Sequence, residues 1–314
     1  MKAKKLTVVL PVFNALPYLP EAVESILGQT FSDFEFLIIN DGSEDGSAKY
    51  LATLTDLRVK VVSQSNRGLG ATLNRAIELC QTPYLARMDA DDISLPDRLA
   101  CQMAYLKAHP EVVMLGTHVR FFSGNRQFSG PAKPLEHDEI RRALLCGQAA
   151  VCHGSCVFSV EELRAAGGYR IDRAGQDIDL FLRMSEVGPV ANLPEILYRI
   201  RVHGESVCSK SADQVQMWRT YAVRCAHCRD AGQAEPTADE FRVQWGRRGP
   251  WRRMLNGVDV WSTRQYRRAM VDLGAGAALR GNARLAVAAI CRPGGTMRRL
   301  KAALGFNGSR QVQQ

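Results

Sequence analysis

Apolar runs of strand length alternate with stretches of helical period through the first 120 residues. Leu6 to Leu10 is unbroken and suits a strand. Leu19 to Gly28 follows with Leu19, Val23, Ile26 and Leu27 at the spacing of one helix face. Phe34 to Ile39 predicts a strand buried on both faces, ending in Asn40-Asp41-Gly42-Ser43. Val59 to Val62 predicts a third strand, running into Asn66-Arg67-Gly68 and a helix from Leu69 to Cys80. Tyr84 to Met88 predicts a fourth, which delivers Asp89, Asp91 and Asp92 at its carboxyl end. Pro96 suits the first turn of the next helix, where its missing N–H costs nothing, and Asp97 suits the positive end of that helix dipole. The repeated order of strand, polar loop and helix predicts an α/β fold with a Rossmann-like, mostly parallel sheet flanked by helices. Its acids collect at strand ends, where open α/β sheets take ligands.

Further along, Val112 to Phe122 is two-sided and predicts added or antiparallel sheet elements. His137 to Cys146, Val160 to Ala166 and Gln176 to Val187 have helical spacing, and Leu193 to Ile200 predicts a late strand. After about Ser209 the character changes. Gln214 to Cys228 predicts a helix, Asp230 to Asp239 a polar break containing Pro236, and Val258 to Leu273 and Ala275 to Cys291 two more helices. Gly249, Gly274, Gly276, Gly281 and the Gly294-Gly295 pair blur the ends of these last elements. The chain therefore divides into residues 1–209, an α/β domain, and 210–314, a mainly helical C-terminal region.

Composition changes this picture in three ways. An apolar fraction of 46% and a charged fraction of 23% over 314 residues suit a globular chain with a full core, and no apolar run reaches the length of a membrane span. Met1 to Lys5 followed by Leu6 to Leu10 resembles a short leader until Asn14 and Pro17 interrupt it, so the run reads as the first strand. Nine unevenly spaced cysteines do not make a disulfide framework and point to the cytoplasm. Cys225-Ala-His-Cys228 has ligand-like spacing, with Cys208 the nearest further thiol, but no second close pair completes four zinc ligands and the residues read as ordinary helix cysteines. Finally, the net charge of +9 is lopsided. From Phe241 to Gln314 fifteen Arg or Lys residues face two acids, a net of +13, which leaves −4 for the first 240 residues. Such a region attracts nucleic acid, anionic lipid or phosphorylated substrates, and charge alone does not choose.

The candidate chemistry is acidic. Asp89-Ala90-Asp91, followed by Asp92, crowds carboxylates that repel one another unless a cation offsets them. A Mg²⁺ or Mn²⁺ ion shared with substrate phosphates does so; a solvated turn before the Pro96 helix accounts for the same residues. The loop Asp41-Gly42-Ser43-Glu44-Asp45-Gly46-Ser47 lets backbone approach a ligand closely, and Asp41 can accept hydrogen bonds from a base or ribose. The same loop also reads as an Asx-turn with Asp45 or Ser47 capping a helix. Asp177 and Asp179 begin a helix, two positions apart, so one of them at most faces a cleft. A carboxylate fixed on a helix suits general-base work, and acids in a first turn also suit the helix dipole. His153, in His153-Gly154-Ser155-Cys156, and His203, in Arg199-Ile-Arg201-Val-His203, are candidate site residues or hydrogen-bonded structural ones.

These residues together resemble the inverting family 2 glycosyltransferases of GT-A fold. The resemblance is carried by Val9-Leu-Pro-Val-Phe-Asn14, Glu21-Ala-Val-Glu-Ser-Ile-Leu-Gly-Gln-Thr30, Ile38-Ile-Asn-Asp-Gly-Ser-Glu-Asp-Gly-Ser47, Asn66-Arg-Gly68 and Ala86-Arg-Met-Asp-Ala-Asp-Asp-Ile-Ser94. Pro96-Asp-Arg-Leu99, His153-Gly-Ser, Gly167-Gly-Tyr169, Asp177-Ile-Asp-Leu-Phe-Leu-Arg183 and Arg201-Val-His203 continue it, in the family's order, to about residue 209. It implies a nucleotide-sugar-binding catalytic domain over 1–209. Asp41 matches the acid that contacts the base, near the backbone of Pro11, Val12 and Phe13. Asp89, Ala90 and Asp91 match the D-x-D turn, with Asp91 the firmer metal ligand, His203 a supplementary one, and Mn²⁺ or Mg²⁺ the cofactor. Asp177 matches the catalytic base. Gln176 stands where the family often has Glu, and with His153 it is a candidate acceptor contact. Arg67 and helix N-termini are expected to stabilise charge on the departing nucleoside diphosphate.

The expected partners are a nucleoside-diphosphate sugar and a glycan, glycolipid or protein-linked acceptor. A sugar-phosphate nucleotidyltransferase is the competing enzyme class, although no early Gly-rich segment followed by Arg and Lys is present. A nucleic-acid-binding protein acting through the basic C-terminal region is the non-enzymatic one and the less favoured. The basic region, with Trp245, Trp251, Trp261 and Tyr266 among Arg247, Arg248, Arg252, Arg253, Arg264, Arg267 and Arg268, suits peripheral association with the cytoplasmic face of an anionic membrane. Packing of the tryptophans and solvation of the arginines explain it equally.

Overall fold

The computed structural model describes residues 4–170, 175–203 and 212–291. The expected domain boundary after residue 209, Cys208, Gly294-Gly295 and the side chains of Trp251, Arg252 and Arg253 lie outside the described residues. Contacts divide the chain into two units, the first of residues 1–119, 133–200 and 214–241 and the second of 120–132, 201–213 and 242–314.

Four parallel strands in the first unit come from the apolar runs. They are β1 (Leu6–Val12), β2 (Phe34–Asp41), β3 (Val59–Gln64) and β4 (Tyr84–Arg87), with β1 flanked by β2 and β4 and β3 outside β2. Two parallel neighbours and covering helices leave β1 almost no solvent-facing side, so its side chains are apolar at nearly every position. Helix α1 (Leu19–Leu27) buries Leu19, Ala22, Val23 and Ile26, and α3 (Leu69–Leu79) buries Leu73, Ala76 and Ile77. A short α2 (Ser47–Leu51) lies between β2 and β3.

Beyond β4 the sheet departs from the expected mostly parallel arrangement. Its order is β3-β2-β1-β4-β8-β6-β9-β5, with β7 on β6, where β5 is Ile93–Ser94, β6 Met114–Ser123, β7 Arg126–Ser129, β8 Val157–Ser159 and β9 Val190–Arg201. The β4–β8, β6–β8, β5–β9 and β6–β7 pairs are all antiparallel, so the sheet is mixed. Covered strands read as apolar in either direction, which is why the pattern could not fix this part.

Helix α4 (Arg98–Ala108) is the one expected after Pro96, and α5 (His137–Leu145), α6 (Val160–Ala165) and α7 (Gln176–Val187) follow the predicted spans closely. Pro96 and Asp97 precede α4 rather than open it, and Asp97 accepts a hydrogen bond from Thr30 Oγ1 at 3.0 Å. Next come α8 (Ala212–Asp230) and α9 (Ala238–Gly246). The latter corrects the polar break, which spans only 231–237. Its start was legible: Thr237-Ala-Asp-Glu240 is a capping box, with Glu240 N donating to Thr237 Oγ1 at 3.2 Å and Thr237 N to Glu240 Oε2 at 2.8 Å. In the second unit α10 (Pro250–Gly274) and α11 (Ala278–Cys291) form a helical pair. Pro250 sits in the first turn of α10, so that helix starts eight residues before the predicted Val258. The described cysteines are free thiols, and Cys225 and Cys228 are buried in α8.

Candidate active site

The loops that follow β1 and β2 are stitched into one edge. Asn14 N donates to Ser43 Oγ and Glu44 N to Asn14 Oδ1, at 3.1 and 2.8 Å. Leu16 N reaches Asp45 Oδ2 at 2.8 Å, while Asp45 Oδ1 accepts from Ser47 N at 3.0 Å. Asp45 therefore does the Asx-turn work, and burial working against its carboxylate is outweighed by these bonds, which hold its pKa down. Asp41, at the end of β2, is buried and accepts from Gln64 Nε2, Arg67 N and Gly68 N at 2.7, 2.9 and 3.0 Å. It thereby fixes the loop that carries Arg67, whose own side chain is exposed. Gly42, at φ +76°, could not carry a Cβ, which would stand 2.8 Å from Asn66 N. At the end of β1, Val12 is buried whereas Phe13 is 52% exposed, an apolar ring displayed beside this edge.

Across β1, the end of β4 holds an ion pair absent from the expected set, between a buried arginine and a partly exposed acid. Arg87 is 1% exposed inside the strand and its Nη1 contacts Asp89 Oδ1. Burial raises the Asp89 pKa, Arg87 works against that, and the charges of Asp91 and Asp177 add to the rise. Asp177 is thus within electrostatic reach of Asp89. Asp89 N donates to the hydroxyl of the fully buried Tyr198 at 3.1 Å. Arg98 supports both partners, with Nη2 on Arg87 O at 2.7 Å and its guanidinium 5.0 Å from the Tyr198 ring centre. Gly154 keeps room here, since a Cβ would lie 2.4 Å from Tyr198 Oη and 2.7 Å from Asp89 Oδ2. Arg87 was detectable in principle, because a charge inside an otherwise buried strand needs a partner and Asp89 lies two residues on.

His153 starts a 3₁₀ turn (His153–Ser155), with Nε2 2.6 Å from Tyr169 Oη and its ring edge-on to Phe181 of α7. Burial, with Arg87 adding to it, pushes the His153 pKa well down, so the imidazole is neutral at neutral pH. Gln176 is buried and Asp177 half-buried in the first turn of α7.

Asp179 is accounted for differently. It is 1% exposed and paired with Arg170 and Arg183, both at 2.7 Å. Burial opposes its charge, yet these hydrogen bonds and charges prevail and depress its pKa. One acid of the two is therefore structural, as the helix spacing required. A depressed folded pKa means that the pair stabilises the protein above the ordinary carboxylate range. That stabilisation is lost as pH falls through the depressed value. Asp179→Ala, which strands Arg183 in the core, is expected to cost about 3–5 kcal/mol in urea unfolding at pH 7. The difference from wild type should shrink on acidification.

The acids at the D-x-D turn fit a divalent ion completed by substrate oxygens. Asp89 and Asp91 supply oxygen donors, Gly154 leaves Asp89 uncovered, and among the described residues no three His, Cys, Asp or Glu side chains form a cage of their own. His203 follows β9 and belongs to the second unit.

A Rossmann-like edge lined with acids is the framework of nucleotide-using enzymes. The chain belongs to glycosyl transferase family 2, whose model matches residues 7–164. It is 33% identical over 211 residues to the amylovoran biosynthesis glycosyltransferase AmsE of Erwinia amylovora, covering 64% of this chain and 79% of that protein. It is 32% identical over 225 residues to the O-antigen biosynthesis glycosyltransferase WbnJ of Escherichia coli, covering 70% and 87%. The fold is similar to that of S. aureus TarS 1–349 in complex with UDP-GlcNAc, with a TM-score of 0.62 and 13% identity over 96% of this chain and 92% of that one. The protein is a glycosyltransferase that moves a sugar from a nucleoside-diphosphate donor to a glycan or glycoconjugate acceptor. No described helix is long and apolar enough to cross a membrane.

Proposed function

We propose that transfer is a single inverting displacement in surface polysaccharide or glycoconjugate synthesis, with Asp177 as the base. The observation that carries this reading is the packing of His153 against Phe181 of α7, with ring centres 5.8 Å apart, while a Cβ on the next residue, Gly154, would lie 2.7 Å from Asp89 Oδ2; Asp177 stands one turn before Phe181 on that helix. An acceptor hydroxyl gives its proton to Asp177 as its oxygen bonds to the anomeric carbon, and the bond from that carbon to the diphosphate breaks. Asp41 and the backbone of Pro11, Val12 and Phe13 receive the nucleoside, and Asp89 and Ala90 receive the ribose and sugar side. Asp91, with Asp89 assisting, would hold Mn²⁺ or Mg²⁺; when bound, the ion offsets the charge gathering on the leaving diphosphate. Arg67 adds positive charge on the same side. His153 and Gln176 shape the acceptor pocket. The names of AmsE and WbnJ, which refer to amylovoran and O-antigen, support a surface glycan as the product. Residues 1–209 form the catalytic domain on this reading. The test is proton NMR of the linkage made from whichever donor a nucleotide-sugar screen identifies. Inversion of the anomeric configuration is expected; retention overturns the single displacement.

The basic region 210–314 is proposed to bring this domain to the inner face of the cell membrane. In support, Met254, Val258 and Trp261 recur at helical spacing and are exposed, as are Leu279 at 91% and Ile290 at 80%, on helices rich in arginine. Vesicle flotation should show binding that rises with anionic lipid and falls with salt. Changing Arg247, Arg248, Arg267 and Arg268 to Gln should reduce it; failure of the wild type to float at low salt overturns the proposal.

A further inference from the structure

Two cations beside the proposed base have no part in the scheme above. Lys133 Nζ donates to Ala149 O at 2.6 Å, in the loop that leads from α5 to His153. Arg219, on α8, packs against the same loop, its Cδ 3.6 Å from where a Cβ on Gly147 would stand. Its backbone N lies 3.7 Å from the corresponding point on Gly175, the residue that caps α7 two positions before Asp177. Lys133 and Arg219 are within electrostatic reach of each other, and Lys133 of Asp177. Neither cation makes an ion pair among the described residues. Arg219 Nε is buried with no hydrogen-bond partner, and so is Oε1 of Gln176, a side chain 6% exposed that adjoins Asp177. Buried polar atoms left so are costly unless a ligand completes them.

We propose that Lys133 and Arg219 hold an anionic group of the acceptor, a phosphate or carboxylate, while the attacking hydroxyl lies at Asp177. The inference rests on the assignment of Asp177 as base. The guanidinium fork of Arg219 suits bidentate contact with two oxygens of either group, and Lys133 supplies a point charge. An anion entering beside Asp89, Asp91 and Asp177 needs local cations to offset three carboxylates. The charge of the donor diphosphate would be offset by the metal ion held at the D-x-D turn, which leaves this pair to the acceptor. Gln176 Oε1 then accepts from a second hydroxyl of the same sugar.

The experiment is calorimetric titration of inorganic phosphate, methyl glucuronide and methyl glucoside into full-length enzyme saturated with Mn²⁺ and the nucleoside diphosphate of its donor. Phosphate or glucuronide should bind at least about tenfold more tightly than the neutral glucoside. Whichever anion is preferred tells a phosphorylated acceptor from a uronic acid one. Lys133→Gln and Arg219→Gln should each lose that preference while nucleoside-diphosphate affinity and Tm stay unchanged, and Lys133→Arg should restore it. Equal binding of all three probes overturns the proposal, and so does a preference that survives in both Gln variants. The Asp177→Asn transfer assay is independent of these titrations, so failure of the base assignment and failure of the anion site are read separately. If a Gln variant loses nucleoside-diphosphate binding as well, the cation is supporting the fold and the proposal is overturned for that residue.

Discussion

Asp177→Asn is expected to lower transfer by about 10²–10⁴-fold, the range lost when a positioned general base is removed. The substitution keeps the shape of the side chain and the first turn of α7, so nucleotide affinity should be unchanged. The loss should appear in kcat and in kcat/KM alike, because proton acceptance matters only as the acceptor oxygen attacks. Neighbouring groups are poor substitutes. Asp179, two positions on, is sequestered by Arg170 and Arg183, and Asp89 is engaged by Arg87. A transfer assay paired with calorimetric nucleotide titration checks the outcome. Near-wild-type transfer would return Asp177 to a structural role at the helix start.

Asp91→Asn should reduce transfer by a comparable factor, of the order of 10²–10³, as expected when charge stabilisation on a leaving group is removed. Here the signature differs, since donor affinity should fall together with turnover if the cation bridges the protein and the diphosphate. Asp89 cannot compensate, because Arg87 already partners its carboxylate and burial raises its pKa. Extensive chelation should reproduce the defect in wild-type enzyme, and Mn²⁺ or Mg²⁺ should restore activity. Full turnover in chelated enzyme would refute the metal role, while a Tm drop matching the activity loss would mark Asp91 as a fold residue.

The sequence by itself determined the β1–β4 core, the helices between these strands, and the placing of Asp41, Asp89 and Asp91 at strand ends. Buried parallel strands read as continuous apolar runs, and the acids at their ends interrupt those runs in a way that needs no partner to be recognised. It also determined that Asp177 and Asp179 could not both face one cleft, since two positions along a helix turn a side chain well away. Only the tertiary structure decided that Asp179 is the one held in ion pairs. Arg170 lies 9 residues before Asp179, and no local pattern announces that it and Arg183 share that carboxylate. The same holds for the sheet beyond β4, where β8, some 70 residues further along the chain, pairs antiparallel with β4 at Ala86 and Val157. It holds again for Tyr198 under Asp89, a contact 109 residues apart in sequence. Strand direction, buried ion pairs and hydroxyl acceptors across such distances are settled by packing and by the cost of leaving a buried polar group unmatched. Neither leaves a period in the chain that could be read in advance.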